Sequence, residues 1–179
     1  MILSIEEVKE HPEFKDIDTG SLKEMLDAVE DLVRKYTNNN FQIRPIRFVG
    51  SSNAEDPTVI YGNPKYLKVG DTVQITQSEA NDGLYVVEGV GEDRIVVDRD
   101  LYPSDHNRVT KVEYPKAVKQ GVLNILKWEV TSRDKVGIKS ETLSRHSVTY
   151  FDLDANNQVN GYPVSLLGFL DLYKKARFE

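Results

Sequence analysis

Thr72-Val73-Gln74-Ile75-Thr76, followed by Asn81-Asp82-Gly83, Leu84-Tyr85-Val86-Val87-Glu88-Gly89, Gly91-Glu92-Asp93 and Arg94-Ile95-Val96-Val97-Asp98, is the stretch that decides the fold. Its β-branched and aromatic residues come in short blocks, each closed by residues that favour turns. Asn-Asp-Gly and Gly-Glu-Asp are hairpin signals, because Asn, Asp and Gly tolerate the positive φ that tight hairpins need. Blocks of the same character lie at 43–49, 58–61 and 108–114, so strands are expected at 43–49, 58–61, 72–76, 84–89, 94–98 and 108–114. Strands this short bury little as a flat sheet. Closure into a small SH3-like or OB-like barrel removes the exposed edges.

On both sides the pattern turns helical. Ser4 with Glu7 forms a capping box, Leu3 stands at the staple position, and a short helix over 5–10 ends before Pro12. Thr19 or Ser21 caps a longer helix. Its apolar stripe is Leu22, Met25, Leu26, Val29, Leu32, Val33 and Tyr36, with the pairs Glu30/Arg34 and Asp31/Lys35 on the opposite side. The run Thr37-Asn38-Asn39-Asn40 stops it. After the strands, Pro115 opens a helix through Val118, Val122, Ile125, Leu126 and Trp128 to about Ser132. A turn at 134–139, a strand or extended arm at 147–151 and a polar loop at 152–161 follow. A last helix runs from Pro163 through Leu166, Leu167, Phe169, Leu170 and Tyr173. The expected class is α+β: a helical-bundle core from residues 1–45 and 114–179, with an inserted small β-barrel-like module at 46–113.

With 179 residues, 39% hydrophobic and 29% charged, the chain has the balance of a soluble domain large enough for a real core. The absence of cysteine excludes disulfides, thiol nucleophiles and cysteine-based zinc sites. No apolar run approaches the ~20 residues of a membrane span, and the opening MILSIEEVKE lacks a basic-then-apolar leader pattern, so a cytoplasmic start is expected. The net charge of −6 argues against a nucleic-acid coat. Residues 1–45 carry six basic and ten acidic groups, 46–113 seven and twelve, and 114–179 ten and seven. An acidic front and a mildly basic end suggest an oriented partner or self-stacking.

The sequence offers little chemistry. Asp152-x-Asp154-x-Asn156 begins like a calcium loop, but Asn157 and Pro163 stand where the motif needs Gly and Glu. His11, His106 and His146 are scattered and without ligand spacing. His146 with Ser144 or Ser147 and Asp152 lacks a nucleophile elbow. Gly89-Val90-Gly91 precedes no helix that could cradle phosphate. Asp98 and Asp100 read as one exposed strand face. Phe48, Tyr61, Tyr66, Tyr85, Tyr102 and Tyr114 could stack bases, but the module is acidic, and packing in the barrel or its rim is the simpler reading. No catalytic residue, cofactor site or metal site is expected.

Four stretches, in order, resemble head–tail connector (adaptor) proteins of tailed bacteriophages, in the branch that infects Gram-positive hosts. They are Leu3-Ser4-Ile5-Glu6-Glu7-Val8-Lys9; Val33-Arg34-Lys35-Tyr36-Thr37; Gly137-Ile138-Lys139-Ser140-Glu141-x-x-Ser144-Arg145-x-Ser147-Val148-Thr149-Tyr150; and Tyr162-Pro163 through Leu170-x-x-Tyr173-Lys174-Lys175-x-Arg177-Phe178. The resemblance covers residues 1–45 and 114–178 and leaves out 46–113, where many members have a short connection. It implies a non-enzymatic virion protein of the neck, assembled from the host cytoplasm. Its rings, usually twelve-fold, would dock beneath the portal after DNA packaging and extend the channel to the stopper and tail completion proteins. The helical bundle would build the ring wall, and DNA would pass through the lumen without specific binding and without any membrane.

Carried over by position, Tyr173, Lys174, Lys175, Arg177 and Phe178 would form the portal-binding arm. Gly137, Ile138, Lys139, Ser140, Glu141, Arg145 and Tyr150 would lie in a subunit or lumen contact segment. An acidic wall suits a conduit, because counterion-release binding would hold the passing duplex. Uneven charge suits the heterologous interfaces of a ring. Two rival readings are a monomeric β-barrel module that binds a peptide, glycan or nucleic acid, and a neck stopper or head-completion protein.

Overall fold

Gln42–Ser52 (β1), eleven residues long, organises the first part of the structure, a computed structural model that describes residues 1–133, 140–143, 146–149 and 157–176. Val59–Tyr61 (β2), Thr72–Thr76 (β3), Gly83–Val90 (β4), Arg94–Val97 (β5) and Ser104–Val112 (β6) join it. The six close into a barrel in the order β1-β2-β5-β4-β3-β6, and every neighbouring pair is antiparallel. The turn signals work through side chains as well as backbone. Asp82 accepts from the Ser78 backbone N–H at 2.9 Å, and Ser78 Oγ accepts from Asn81 N–H at 2.7 Å. At the second turn Gly91 N–H donates to Arg94 O at 2.8 Å. Inside sit Ile60, Leu67, Val73, Ile75, Tyr85, Val87, Ile95, Val97, Leu101 and Val109, with Ile46 and Phe48 partly buried against them.

β1 closes the barrel by pairing on both sides. It lies along β6 for most of its length and meets β2 at Ser51↔Tyr61. Its register breaks twice, between Gln42 and Arg47 and between Gly50 and Ser52. Pro45, which has no N–H to give a ladder, falls inside the first break. Such irregularities bend a strand and increase its twist, which is what closure requires. Gly50 sits at the seam. A Cβ there would lie 2.3 Å from the Tyr61 carbonyl oxygen and 2.7 Å from Ile60 Cγ2, so only a hydrogen fits.

Residues 2–39 with 115–179 form a second compact unit, separate from the one made by Met1 and 40–114. Ile5–Lys9 (α1) carries the complete capping box of Ser4 and Glu7. The N-cap of Thr19–Thr37 (α2) is Asp18, whose carboxylate accepts from Ser21 N–H, rather than Thr19 or Ser21. Leu22, Leu26, Val29, Leu32 and Val33 are buried as the stripe predicts, but so is Glu30, at 3% exposure. Glu30 therefore does not stand on the solvent face expected for it, whereas Asp31 and Lys35 pair there at 2.6 Å. Lys116–Ser132 (α3) buries Val118, Val122, Leu123, Ile125 and Leu126.

The end of the chain departs most from expectation. Ser140–Leu143 (β7) pairs with His146–Thr149 (β8), and Gln158–Val159 (β9) pairs with Tyr162–Pro163 (β10). The β9–β10 turn is Asn160-Gly161, with φ of 51° and 81°, the left-handed pair of a type I′ hairpin. The last helix is a single turn, Val164–Leu167 (α4), which tightens into a 3-10 helix over Gly168–Tyr173.

The expected helical-bundle core with an inserted SH3-like or OB-like module is thereby overturned. The principal architecture is the closed antiparallel barrel, with six strands rather than the ~five of an OB-fold. Among the described residues, only α2 and α3 exceed five residues as α-helices. The physical reason lies in the flanking runs. Pro12 confines the first one to five residues, as expected, and Gly168 interrupts the last, so both are too brief to offset helix nucleation on their own.

Gly50→Ala is expected to destabilise the barrel by about 1–3 kcal/mol, the usual range for overpacking. Thermal unfolding followed by near-ultraviolet circular dichroism would show a lower Tm, and an unchanged Tm would mean the β1–β2 seam is not tight.

Candidate functional site

The last turn of α2 carries more hydrogen-bonding capacity than its own termination needs. Asn38 adopts the left-handed C-cap conformation, φ 49° and ψ 36°, and its N–H bonds Arg34 O and Lys35 O. Thr37 Oγ1 donates to Val33 O at 2.6 Å. The two asparagine amides then point to a distant segment. Asn39 Nδ2 donates to Tyr173 O at 3.1 Å, and Asn38 Nδ2 donates to Ala176 O at 3.1 Å. Lys175 N–H completes the clamp by donating to Thr37 O at 2.8 Å. The C-terminal segment thus lies across the end of α2 with its backbone held at three successive points.

Side chains reinforce this arrangement. Lys174 Nζ stands 4.0 Å over the Tyr36 ring and 2.7 Å from Asp171 Oδ1, which also accepts from the Tyr36 hydroxyl at 3.3 Å. The hydrogen bond from Lys174 holds the Asp171 carboxyl below its ordinary pKa, and the reciprocal bond raises that of Lys174. Upstream, the 3-10 helix is seated by Phe169, whose ring occupies the space over Gly121 of α3. A Cβ at Gly121 would fall 2.2 Å from the Phe169 ring. Beyond that seat Leu172 is 90% exposed. From Lys174 the chain is extended.

Of the expected arm residues, Tyr173, Lys174 and Lys175 are brought together here, Tyr173 half-buried and both lysines exposed. Arg177 and Phe178 lie outside the described residues. In the expected contact segment, Ser140 and Glu141 fall on β7, while Gly137, Ile138, Lys139, Arg145 and Tyr150 lie outside the described residues, as do Ser144, Asp152, Asp154 and Asn156. His146 and Ser147 are neighbours on β8. Asp98 and Asp100 follow β5 rather than sharing one of its faces. Asp98 Oδ1 accepts from Val86 N–H at 2.9 Å, a structural task. Sequence reasoning missed Tyr36, Asn38, Asn39 and Asp171, although three consecutive asparagines are more than a helix stop requires.

A second concave feature lies in the barrel. Ser52, Asn53, Gln77, Glu79, Asp105 and His106 are among the residues lining an open cleft of about 610 Å³. Behind it is a buried polar network. Asn81 Nδ2 donates to Tyr102 O and to Asn107 Oδ1, each at 2.9 Å, while Asn81 Oδ1 accepts from Tyr102 N–H at 2.8 Å. Ser52 Oγ donates to Tyr102 O at 2.8 Å and accepts from Asn107 Nδ2 at 3.1 Å. Asn81 and Asn107 are 1% and 0% exposed, so these bonds replace water entirely. In the second unit, Arg133 pairs with Glu129 and lies 5.6 Å over the Tyr162 ring, in a pocket of about 460 Å³.

Among the described residues no group of three or more His, Asp or Glu could hold a metal ion, and no helix is long and apolar enough to cross a membrane. No protein-family model matches the chain, and no curated protein matches it in sequence.

Asn39→Ala removes the amide that donates to Tyr173 O and is expected to cost about 1 kcal/mol, with faster amide exchange at 173–176 as the measurement. The pH response follows from the signs of the two shifts. Asp171, held low, contributes stability above the ordinary aspartate value of ~3.9 and loses it as pH falls through its folded value. Lys174, held high, contributes below ~10.4 and loses it as pH rises further. The segment should therefore stay clamped across neutral pH and loosen only at strongly acid or alkaline values. Amide exchange at Lys175 between pH 5 and 9, corrected for intrinsic rates, should be flat, and a transition inside that window would contradict the assignment.

Proposed function

We propose that the chain is a non-enzymatic head–tail connector of a tailed bacteriophage. Copies would assemble as a ring beneath the portal and extend the DNA channel toward the stopper and tail completion proteins. The observation that carries this reading is the clamped C-terminal segment. The last of the four stretches that resemble the connector family runs through this segment. Its base is fixed to α2 by Asn38 and Asn39, and it presents Leu172, Lys174 and Lys175 to solvent.

An exposed apolar side chain followed by two cations, on a backbone already ordered, suits docking into a partner that offers an apolar pocket beside acidic groups. Preordering the base reduces the conformational entropy lost on binding. Arg177 and Phe178 would continue the same chemistry past the clamp. The acidic remainder of the chain fits a channel wall that must let duplex DNA slide, since cations facing phosphate would retard it.

Native mass spectrometry of the purified chain, alone and mixed with the portal protein of the same phage, tests this. A ring on the portal that is lost when residues 173–179 are deleted, and weakened at least about tenfold by Lys174→Glu with Lys175→Glu, would support the assignment. A chain that ignores the portal would overturn it.

A further inference from the structure

We infer that the two ends of the barrel bind each other between copies, the β2–β3 loop of one copy docking into the cleft of the next. The inference rests on the connector reading only in that copies must meet; where they meet is read from the barrel itself. The ladder registers place the two features. Ser52 pairs with Ser104 at one end, and Gln42 and Thr72 both pair with Val112 at the other. The cleft, lined by Ser52, Gln77, Glu79 and Asp105, is at the first end. The loop 62–71 leads into Thr72 at the second.

That loop is a rigid, basic and apolar knob. Tyr66 is 76% exposed and Val69 66%, high values for large apolar side chains, and Lys65 and Lys68 beside them are exposed too. The intervening Leu67 is anchored in the barrel core. The backbone is fixed by Leu67 N–H to Pro64 O at 3.2 Å, Gly70 N–H to Val87 O at 2.7 Å, and Lys68 N–H to Asp71 Oδ2 at 2.9 Å. Asp71 is itself held by Lys111 at 2.8 Å. Tyr66 has φ 68°, a left-handed conformation that is unfavourable for a bulky residue and persists only where the surroundings impose it. A loop this constrained, holding an aromatic outward, has the form of an interaction anchor.

The cleft is its complement. Glu79 and Asp105 are exposed carboxylates, Ala54 and Pro103 add apolar surface, and among the described residues neither Lys nor Arg lines it. Its floor is fixed by the Ser52, Asn81 and Asn107 network, so both partners are ordered before they meet. At about 610 Å³ the cleft falls within the range of ordinary binding clefts and has room for an aromatic side chain with a lysine beside it. Residues 62–70 carry two cations and no carboxylate, while the chain as a whole is at −6. An acidic face of the same chain is therefore a partner of matching chemistry. Because knob and cleft are at opposite ends, the contact is heterologous, and repeating it generates a ring or an open chain of copies.

A cysteine-free chain makes the test clean. Lys68→Cys with Glu79→Cys, both at exposed positions, would be oxidised alone and on the portal, and read on non-reducing gels. Disulfide-linked ladders that neither single-cysteine variant gives, reduced at least about tenfold by adding Tyr66→Ser, are expected. Rings on the portal without ladders would overturn the barrel contact and leave the connector reading standing. Ladders in solution with no response to the portal would uphold the contact and overturn that reading. Neither rings nor ladders would overturn both. As a second measurement, Lys65→Glu/Lys68→Glu and Glu79→Lys/Asp105→Lys proteins should each fail to associate and should associate when mixed. If the mixture stays monomeric while the wild type associates, the contact lies elsewhere.

Discussion

Barrel closure depends on one strand reaching two neighbours, and that constraint governs the first unit. Six short strands laid flat would leave two edges of unpaired N–H and C=O groups. β1 removes both by pairing with β6 along one side and β2 at its end. Its two register breaks, with Pro45 in the first, provide the bend, and Gly50 lets the backbone approach Tyr61. Ser52, the next residue past the seam, joins the buried network of Asn81 and Asn107. Closure and the order of the adjacent cleft thus share a few residues.

In the second unit the corresponding device is the end of α2. Helix termini leave carbonyls without partners inside the helix, and these must be satisfied by something. Here Thr37 O takes Lys175 N–H, and the amides of Asn38 and Asn39 reach onward to the carbonyls of the same segment. The helix stop and the anchoring of the C-terminal segment are therefore one structure. Phe169 over Gly121 fixes the approach from the other side. The ionic contacts of Asp171 and Lys174 are solvent-exposed and add direction more than strength.

The strands were legible because β-branched blocks between turn residues carry a local signal. The block at 72–76 became β3 without a change of boundary. Architecture was less legible. Periodicity says which face of a helix is apolar but not what covers it: α1, α2 and α3 form near their expected bounds, but the principal architecture assigned to them belongs to the barrel. The apolar run after Pro163 kept helical spacing, yet Gly168 reduced it to a turn and a 3-10 helix. Asn160-Gly161, read as loop, was a hairpin signal in plain view. Glu30 shows the other limit, a carboxylate at a position that sequence spacing assigns to solvent. At the candidate site, Tyr173, Lys174 and Lys175 could be named from the resemblance. What holds them could not, because the bonds join residues about 135 positions apart through backbone carbonyls that have no sequence identity.

Tension on the barrel would act at one place. The chain enters through Asn40 and leaves through Tyr114 at the same end, with β1 and β6 antiparallel side by side. Force arriving through those two connections pulls the strands apart crosswise. It loads ladder bonds one after another, starting at Gln42 and Val112, rather than all together. Mechanical yield is then set by the first lock in line, the Phe41 and Tyr114 rings 4.9 Å apart and the bond from Glu113 N–H to Phe41 O at 3.0 Å. The barrel behaves as a zipper whose slider is that aromatic pair. Its resistance to load is separable from its thermodynamic stability, which resides in the core behind it.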